Sequence, residues 1–213
     1  MRIAIIGYGK MGHMVEQIAR KRGHEVVCIV DVDSPEDIYS SPQFRNADVA
    51  IEFTTPATAE ANIRKAWAAG VPVVSGTTGW NGYDLMDEKG TPGLEWSPNF
   101  SEGMGMVIGF IQEAANNIRE IGLHYRASIT ETHHARKLDK PSGTALELAE
   151  TFSRLTNTPM ENIPIESIRE GDVPGTHTMT LDSDEDTIIV THIAKGREGF
   201  ALGAVIAAEN FVG

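Results

Sequence analysis

The sequence predicts an α/β protein that begins with a doubly wound parallel sheet and continues into an α+β domain built on a mostly antiparallel sheet. Two observations predict this fold class. Over residues 1–101, short apolar segments typical of buried strands alternate with helical patterns, as in βαβ units. After residue 101, a long amphipathic helical pattern is followed by several strand patterns in close succession, which is typical of an α+β domain.

Individual elements are predicted from apolar periodicity and from breaks at glycine and proline. In chain order we expect a strand at 2–6, a helix ending near Gly23, a strand at 25–30, a loop at 34–48, a strand at 49–53, a helix at 57–69, a strand at 71–75, a short helix at 81–88, a strand at 94–97, a long helix through 106–118, a strand at 125–132, a helix from Thr144, strands near 166–169, 177–181 and 187–194, and a last helix from Gly199 to about Phe211. The late strands are expected to be connected mostly as hairpins.

The composition indicates a globular protein with a small ligand. A formal net charge of -12 argues against a nucleic-acid partner, because such a partner requires a basic surface. No apolar run approaches the ~18 residues that a membrane span needs, and no signal-peptide pattern is present. The only cysteine, Cys28, lies in a predicted buried strand, so we expect no disulfide, no metal site and a cytoplasmic location.

The glycines after the first predicted strand form the pattern of a dinucleotide site. The pattern G-x-G-x-x-G follows the strand at 2–6, precedes a helix, and is followed about twenty residues later by Asp31 at the end of the second strand. Gly7 would make the tight turn, Gly9 would let a pyrophosphate approach the backbone, and Gly12 would let the helix pack closely. This context predicts a Rossmann-like nucleotide-binding domain, with Asp31 accepting hydrogen bonds from the adenosine ribose.

Two turns that carry threonines follow neighbouring strands of the predicted sheet. Thr54-Thr55-Pro56 follows the strand at 49–53, and Gly76-Thr-Thr-Gly79 follows the strand at 71–75. Ligands of doubly wound sheets lie beyond the carboxyl ends of the strands, so both turns could face a nicotinamide and its ribose. Simple turn chemistry is an alternative explanation of the Gly-Thr-Thr-Gly sequence.

Cationic side chains of this acidic protein gather in one short segment, which contains His133, His134, Arg136, Lys137 and Lys140. Pro141 ends the segment, and Ser142-Gly143-Thr144 opens a helical pattern in which Thr144 and Glu147 have capping-box spacing. A helix N-terminus beside a glycine and several cations favours a carboxylate or phosphate ligand. The alternative is a solvated loop of mixed charge before an ordinary helix.

The run Glu131 to Ala145, Glu-x-His-His-x-x-Lys-x-Asp-x-Pro-Ser-Gly-Thr-Ala, resembles the signature of the 4-hydroxy-tetrahydrodipicolinate reductase family, also called dihydrodipicolinate reductase. Further segments occur in the family's order: the glycine turn, Phe53-Thr54, Gly76-Thr-Thr-Gly79, Ser97-Pro-Asn-Phe-Ser101, Gly175-x-His177, Thr191-His192, Arg197 and Phe200-Ala201. The resemblance implies a dinucleotide-binding domain at 1–101, completed by 197–213, and a substrate-binding and oligomerisation domain at 102–196 that builds a homotetramer.

The resemblance also implies roles for single residues. His133 would be the general acid, and Lys137 would pair with it and with the substrate. The substrate carboxylates would be bound by His134, Ser142, Gly143 and Thr144. The cofactor pyrophosphate would be held by Gly7, Gly9, Lys10, Met11 and Gly12, the adenosine ribose by Asp31, and the nicotinamide side by Phe53, Gly76, Thr77 and Thr78. Further cofactor contacts would come from Tyr8, Thr54, Ser97, Asn99, Phe100 and Arg197, of which Arg197 would lie at the domain junction. Spacing alone does not separate His133 from His134 as the acid.

The reaction implied by the resemblance is the NAD(P)H-dependent reduction of 4-hydroxy-tetrahydrodipicolinate to tetrahydrodipicolinate with loss of water, in the diaminopimelate pathway to lysine. An imidazolium near neutral pH suits the protonation that must follow hydride addition. Asp31, or Asp33 as a second candidate, would repel the 2′-phosphate of NADPH, and Val32 adds no cation, so we expect a weak preference for NADH.

The chain departs from the family at three places. Its glycine turn is one residue shorter than the usual G-x-x-G-x-x-G, the segment after Asp31 lacks a helix that many members have, and Met104-Gly105 stands where members often have an asparagine. The first two departures affect cofactor contacts rather than the reaction.

Two other functions are compatible with part of this sequence. A different nicotinamide dehydrogenase, acting on a small anionic amino or keto acid, would account for the glycines and the cations but not for Pro141-Ser-Gly-Thr144. A nucleotide-sensing regulator would need the glycine turn but no catalytic acid, and it would usually carry a module for binding DNA or a partner. No such module is visible in this sequence.

Overall fold

The computed structural model describes residues 1–213, and the chain divides into two units. The first unit comprises Met1–Ser101 together with Arg197–Gly213, and the second comprises Glu102–Gly196. The C-terminal helix therefore belongs to the same unit as the N-terminal strands. None of the helices combines the length and the apolar character that crossing a membrane would require.

Strands and helices alternate along most of the chain. In order they are β1 Arg2–Ile6, α1 Lys10–Lys21, β2 Glu25–Val30, α2 Pro42–Arg45, β3 Val49–Glu52, α3 Ala59–Ala68, β4 Val73–Ser75, α4 Tyr83–Met86, β5 Leu94–Trp96, α5 Glu102–Ile121, β6 Arg126–His133, α6 Gly143–Thr156, β7 Ile165–Arg169, β8 Thr176–Asp182, β9 Thr187–Ile193 and α7 Glu198–Val212. Single 3₁₀ turns occur at Ile38–Ser40 and Met160–Asn162.

The first unit is built on a parallel sheet with the strand order β2-β1-β3-β4-β5. The predicted parallel, Rossmann-like sheet is thereby confirmed. The strand order reverses between β1 and β3, so the helices that follow these two strands leave the sheet on opposite sides. Such a switch point opens a crevice at the carboxyl ends of the strands, which is where ligands of these sheets bind.

Helices cover both faces of this sheet, as double winding requires. On one face, α1 and α7 bury Val15, Ala19 and Ala204 against the sheet. On the other face, α2 and α3 bury Phe44 and Trp67. Strands enclosed on both sides are largely apolar, and this is why their sequences read as mostly continuous hydrophobic runs rather than as alternating patterns.

The predicted loop at 34–48 contains more structure than expected. It includes the 3₁₀ turn and the one-turn helix α2, which the Ser41 hydroxyl caps by accepting a hydrogen bond from the Phe44 N–H at 3.2 Å. Tyr39 and Phe44 anchor the segment because both side chains are buried against the sheet. Single helical turns are too short to produce a helical period, so the sequence pattern did not reveal them.

The second unit contains a mixed sheet with the order β7-β6-β8-β9. Strand β8 pairs antiparallel with β6 and with β9, whereas β7 pairs parallel with β6. The expected mostly antiparallel, hairpin-connected sheet is therefore only partly matched. The difference arises because α6 crosses over between β6 and β7, and a helical crossover returns the chain in the parallel direction.

Helices α5 and α6 cover one face of this second sheet. Its core joins Ile111 of α5, Phe152 of α6 and Met179 of β8. On the opposite face, β9 exposes Ile189 and Ile193, which pair in register with threonines of β8. This open face, defined by Ile189, Ile193 and the threonines beside them, is not covered by a helix of the unit.

Candidate functional site

The glycine turn joins β1 to α1 at the switch point of the first sheet. Gly7 has a φ of +89°, and a Cβ at this position would overlap the carbonyl oxygen of Phe53 at the end of β3. A Cβ on Gly12 would likewise overlap the carbonyl oxygen of Gly7. By contrast, nothing lies within 4 Å of a Cβ built on Gly9, and no side chain caps the start of α1. Gly9 and the helix N-terminus thus leave room and donors for a phosphate group.

The other side chains of this turn are directed differently. The Tyr8 ring stacks on His13 with a centroid distance of 3.9 Å, and its hydroxyl donates a hydrogen bond to Glu16. Met11 is half-buried against the core, while Lys10 is exposed at the first position of α1. Lys10 is therefore the side chain of this turn that can meet an anion from solvent.

Asp31 lies at the carboxyl edge of the sheet, directly after β2. The strand end is attached to the glycine turn, because the Gly7 N–H donates to the Val30 carbonyl at 2.8 Å. Asp31 and Asp33 are both exposed, and the backbone N–H of Asp31 donates to the Ser34 hydroxyl at 2.9 Å. A carboxylate is thus available beside the glycine turn, as a ribose partner requires.

A fully buried carboxylate, Glu52, connects the two threonine turns. It accepts hydrogen bonds from Ser75 at 2.5 Å, from Thr77 at 2.9 Å and from Thr54. The Thr77 hydroxyl in turn accepts from the backbone N–H of Thr54 at 2.8 Å. Burial raises the pKa of Glu52, although the three hydroxyl donors oppose that effect. Glu52 was not among the predicted site residues, because within the apolar β3 nothing in the sequence distinguishes it from a structural residue.

The turn after β4 is also held through its backbone. The Thr77 carbonyl accepts hydrogen bonds from the indole N–H groups of Trp80 and Trp96, both at 2.9 Å. The Phe53 ring lies against Gly76, where a Cβ would overlap it. Phe53, Thr54, Gly76 and Thr77 are therefore brought together, and Thr78 is exposed beside them.

The segment after β5 adjoins these turns. The Ser97 N–H donates to the Ser75 carbonyl at 3.2 Å, and the Ser97 hydroxyl accepts from the Asn99 N–H at 3.1 Å. A Cβ on Gly203 of α7 would overlap the Phe100 carbonyl oxygen, so the helix approaches this segment closely. Arg197 precedes α7 and is half-buried.

In the second unit, a buried ion cluster lies at the end of β6. Glu131 is fully buried, and its Oε2 lies 2.5 Å from Nδ1 of His133. Arg169 of β7 donates from Nη1 to Oε2 and from Nη2 to Oε1, both at 2.9 Å, and the Ser142 N–H donates to Oε1 at 3.2 Å. The parallel register that places Arg169 beside His133 brings these groups together. We call Glu131, His133 and Arg169 the buried triad.

Electrostatics within the buried triad favour a charged carboxylate. Burial alone would raise the pKa of Glu131, but the hydrogen bonds to its carboxylate, above all those from Arg169, outweigh this effect and lower the pKa to about 2. Burial lowers the pKa of His133, and the Glu131 carboxylate opposes this effect. Lys137 and Arg169 act in the same direction as burial, because they repel the imidazolium.

A second histidine, His177 of β8, is paired directly with Glu131 on the neighbouring strand β6. Its ring meets that of His133 edge-on, with a centroid distance of 5.0 Å, and its Nε2 lies 3.2 Å from the Ser142 hydroxyl. Burial, followed by repulsion from His133, lowers the pKa of His177 to about 4. His177 is therefore neutral at physiological pH. The sequence did not assign roles to His177, Glu131 or Arg169, although Glu131 and His177 belong to recognisable motifs.

The N-cap of helix α6 lies two residues before the predicted cap, Thr144. Ser142, rather than Thr144, is the N-cap, and its hydroxyl accepts from the Ala145 N–H at 3.3 Å. Thr144 is buried inside the first turn. The predicted capping box of Thr144 and Glu147 was wrong, because Ser142 has the extended backbone of an N-cap and its hydroxyl already bonds the N–H three residues further on.

The predicted cation cluster is more dispersed than the sequence suggested. Arg136 pairs with Asp172 at 2.6 Å on the surface, and Lys140 is exposed. Lys137 is half-buried, and its Nζ lies 2.7 Å from Asp139. His134 is half-buried beside His133. Nowhere do three or more His, Cys, Asp or Glu side chains form a group that could hold a metal ion.

Family models match both parts of the chain. The model described as "Dihydrodipicolinate reductase, N-terminus" matches residues 1–100, and "Dihydrodipicolinate reductase, C-terminus" matches residues 103–213. A curated 4-hydroxy-tetrahydrodipicolinate reductase from Christiangramia forsetii is 40% identical over 223 residues, covering 98% of this chain and 91% of the relative. Another from Lawsonia intracellularis is 33% identical, covering 98% and 93%.

A solved structure supports the fold in the same way. Dipicolinate-bound dihydrodipicolinate reductase from Paenisporosarcina sp. TG-14 superposes with a TM-score of 0.77 at 21% identity, covering 100% of this chain and 94% of the other. At this identity the likeness bears on the fold alone.

Proposed function

The chain belongs to the dihydrodipicolinate reductase family, and from that premise we propose that it reduces 4-hydroxy-tetrahydrodipicolinate to tetrahydrodipicolinate, with loss of water, using NADH or NADPH. This reaction serves the diaminopimelate pathway to lysine. The observation that carries the proposal is the placement of His133 beside the start of α6. A dicarboxylate substrate that must be protonated requires a proton donor and a site that binds its carboxylates. His133 can supply the proton, and the N-terminus of α6 can bind an anion.

The first unit is proposed to hold the nicotinamide cofactor, which supplies the hydride when bound. Gly7, Gly9 and Gly12 shape the phosphate turn, and Gly9 leaves the space that a pyrophosphate needs. Lys10 is exposed at the start of α1, where it can pair with a phosphate, and Tyr8 and Met11 support the turn from its sides. Asp31 is proposed to accept hydrogen bonds from the adenosine ribose.

The nicotinamide is proposed to lie against the two threonine turns. Glu52 fixes Thr54 and Thr77 relative to each other, so their backbone is pre-organised before the cofactor binds. The cofactor-contact set is completed by Phe53, Gly76, Thr78, Ser97, Asn99, Phe100 and Arg197.

The second unit is proposed to bind the dicarboxylate. Ser142 caps α6, and Gly143 and Thr144 form its first turn, where the helix dipole favours an anion. The N–H of Ser142 itself is bonded to Glu131. Lys137 and His134 are proposed to contact the second carboxylate. The ligand named for the solved Paenisporosarcina relative, dipicolinate, is a dicarboxylate of this kind.

Protonation is assigned to His133. Hydride addition to the conjugated imine leaves an enamine, which takes a proton from the imidazolium at carbon. The N–H groups of α6 and the ammonium of Lys137 hold the carboxylates and so orient the ring. The Glu131 carboxylate favours the charged form of His133 that this step needs.

We further propose a homotetramer assembled through the second unit, a weak preference for NADH and a cytoplasmic location. The open face of the second sheet, with Ile189 and Ile193 exposed, supports an interface. The exposed carboxylate of Asp31 supports the NADH preference.

Cofactor oxidation, followed by nicotinamide absorbance with and without the heterocyclic substrate, tests the proposed reaction. We expect turnover that depends on the substrate and falls roughly 10²–10⁴-fold in His133→Gln, with unchanged NADH binding. Turnover on small amino or keto acids instead would indicate another dehydrogenase. Nucleotide binding without turnover on any of these substrates would favour a regulator. A loss below about tenfold in His133→Gln would remove His133 as the acid and direct attention to Lys137.

A further inference from the structure

We propose that Glu131, held by Arg169, is the positioning residue of the acid: it fixes His133 with Nδ1 donating to the carboxylate, so that Nε2 is the atom that delivers the proton. This inference rests on the proposed function for the identity of the acid. It adds which nitrogen acts and which groups make it act. Neither Glu131 nor Arg169 touches the substrate in this proposal.

In the buried triad, Nδ1 of His133 is occupied by its hydrogen bond to Glu131. Glu131 Oε2 lies 2.5 Å from Nδ1, and Glu131 is fully buried. A carboxylate is only an acceptor when ionised, so the hydrogen of this bond must lie on Nδ1. In the neutral ring Nε2 then carries the lone pair, and in the imidazolium Nε2–H is the proton that can be donated.

The position of Glu131 is itself over-determined. Arg169 grips both carboxylate oxygens, at 2.9 Å each, and it is anchored by donating to the carbonyls of Ile168 at 2.8 Å and Asp139 at 2.5 Å. A bidentate guanidinium fixes the plane of the carboxylate as well as its distance. Because Glu131 and His133 are two residues apart on one strand, the same plane fixes the imidazole.

The surroundings of Nε2 support the assignment. Gly175, at the start of the β8 segment, lies beside this atom: a Cβ on Gly175 would come within 3.1 Å of Nε2 and 3.3 Å of Cδ2. The absence of a side chain at Gly175 keeps the Nε2 edge of the ring uncrowded. The Nδ1 edge, by contrast, faces the carboxylate.

Glu131 also joins the acid to the anion site. Its Oε1 accepts from the Ser142 N–H at 3.2 Å, and Ser142 caps α6. One carboxylate therefore positions both the imidazole and the N-cap residue of the helix whose N–H groups are proposed to hold the substrate. Such a link fixes the distance between the proton donor and the substrate carboxylate, which is the geometric requirement of acid catalysis.

The charged groups around His133 have opposing effects on its titration. Glu131 on the same strand favours the imidazolium, whereas Arg169 on β7 and Lys137 in the following segment disfavour it. His177 on β8 is buried and neutral, and its Nε2 is directed to Ser142. Replacing Glu131 with a neutral residue should therefore lower the pKa of His133, and replacing Arg169 should raise it.

The tautomer is tested first, in the unmodified protein. Nitrogen-15 NMR of protein labelled at histidine distinguishes Nδ1–H from Nε2–H in each neutral ring, and the signals missing from His133→Gln identify His133. We expect Nδ1–H with an Nε2 that titrates. A neutral His133 that carries its hydrogen on Nε2 would overturn the proposal, whatever the reaction of the protein is.

Single-turnover rates over pH then test the effect on the acid. The rate needs the imidazolium, so it falls as pH rises through the pKa of His133. We call this decrease the descending limb of the pH profile. In Glu131→Gln, which keeps an acceptor of similar shape, we expect the descending limb to move to lower pH by about one unit or more. The rate at neutral pH should then fall roughly tenfold or more. In Arg169→Gln the limb moves to higher pH. Arg136→Gln, which removes an exposed cation paired with Asp172, serves as the matched control and leaves the limb in place.

The outcomes separate this inference from the proposed function. If the pH profile is unchanged in Glu131→Gln and Arg169→Gln while His133→Gln is inactive, His133 remains the acid. The buried triad would then have only a structural role, and the inference would be overturned. Full activity in His133→Gln would instead remove the proposed acid. Loss of folding in either charge variant is recognised by circular dichroism, and the tautomer in the unmodified protein then decides.

Discussion

At the scale of single residues, the molecule uses buried carboxylates as organisers. Glu52 in the first unit accepts hydrogen bonds from three hydroxyl groups, which lower its pKa, but the larger effect of burial raises it. Glu131 in the second unit is held by Arg169, and its pKa is lowered to about 2. The partner therefore decides whether a buried carboxylate becomes harder or easier to ionise.

Buried His177 should make folding sensitive to mild acid. Its pKa is lowered to about 4 in the folded protein, so the unfolded chain binds a proton at a pH where the folded protein does not. Above about pH 6.5, His177 therefore does not reduce the free energy of unfolding. As the pH drops from 6.5 towards 4, the free energy of unfolding falls by at most about 3 kcal/mol because of this group. Urea unfolding at several pH values measures the loss.

The comparison variant for this prediction is His177→Gln, which should be less stable at neutral pH but lose less stability between pH 6.5 and 4. The exposed His124 provides a matched control, since His124→Gln should reproduce the slope of the unmodified protein. An identical slope in His177→Gln would contradict the assignment of the acid sensitivity to His177.

Coenzyme choice also belongs to the residue scale. Asp31 presents an exposed carboxylate beside the glycine turn, where it would repel the 2′-phosphate of NADPH. We expect kcat/KM to favour NADH several-fold at low salt, and Asp31→Ser to remove that preference, because a screened repulsion is worth about 1 kcal/mol. Asp33→Ser, two residues further on and also exposed, is the control. Loss of the NADH preference in Asp33→Ser instead would transfer the role to Asp33.

At the scale of elements, the turn from β1 to α1 combines two demands on glycine. Gly7 is required by the fold itself, because its φ is +89° and a Cβ would overlap Phe53. Gly9 faces open space and is not required by the fold. One turn therefore contains a structural glycine and a glycine whose small size serves the ligand.

Alanine at these two positions should have opposite effects. Gly9→Ala should fold normally but bind NADH roughly tenfold more weakly, since the new methyl group occupies the space proposed for the pyrophosphate. Gly7→Ala should be destabilised by several kcal/mol through overlap and backbone strain. Thermal unfolding and NADH fluorescence titration separate the two effects. Gly105→Ala on α5 is the control and should leave NADH binding unaltered, because no atom lies within 4 Å of a Cβ at this position either. Normal NADH binding by Gly9→Ala would disprove the proposed phosphate position.

At the scale of the whole molecule, the two units differ in what they leave uncovered. The sheet of the first unit is enclosed by helices on both faces, whereas the sheet of the second has an open face. Exposed Ile189 and Ile193 on that face have no counterpart in the first unit, whose strands are buried. A partner surface is therefore expected at the second unit.

Charge on this open face should disrupt the proposed tetramer. The double variant Ile189→Glu and Ile193→Glu places two carboxylates where an apolar interface is proposed, so we expect dimers or monomers by light scattering. Met86→Glu, a partly exposed position on α4 of the first unit, should leave the mass unchanged. A tetrameric mass that persists in the double variant would place the interface elsewhere.

The sequence by itself determined the features that depend on neighbours along the chain. The alternation of strands and helices follows from local periodicity, and the parallel first sheet follows from that alternation together with the glycine turn after β1. The long motif from Glu131 to Ala145 identified the family, because many residues in fixed spacing are specific. Local spacing also misled once, since Thr144 and Glu147 have capping-box spacing whereas Ser142 is the N-cap.

Only the tertiary structure decided which distant residues meet. Arg169 reaches Glu131 because β7 pairs parallel with β6, and the expectation of hairpins would have placed it elsewhere. Glu52 meets Thr77 because β3 and β4 are neighbours in register. Sheet register is set by packing over the whole unit, and a shift of one residue would turn every side chain to the other face. For that reason Arg169, which holds the carboxylate beside the proposed acid, became apparent only in the folded chain.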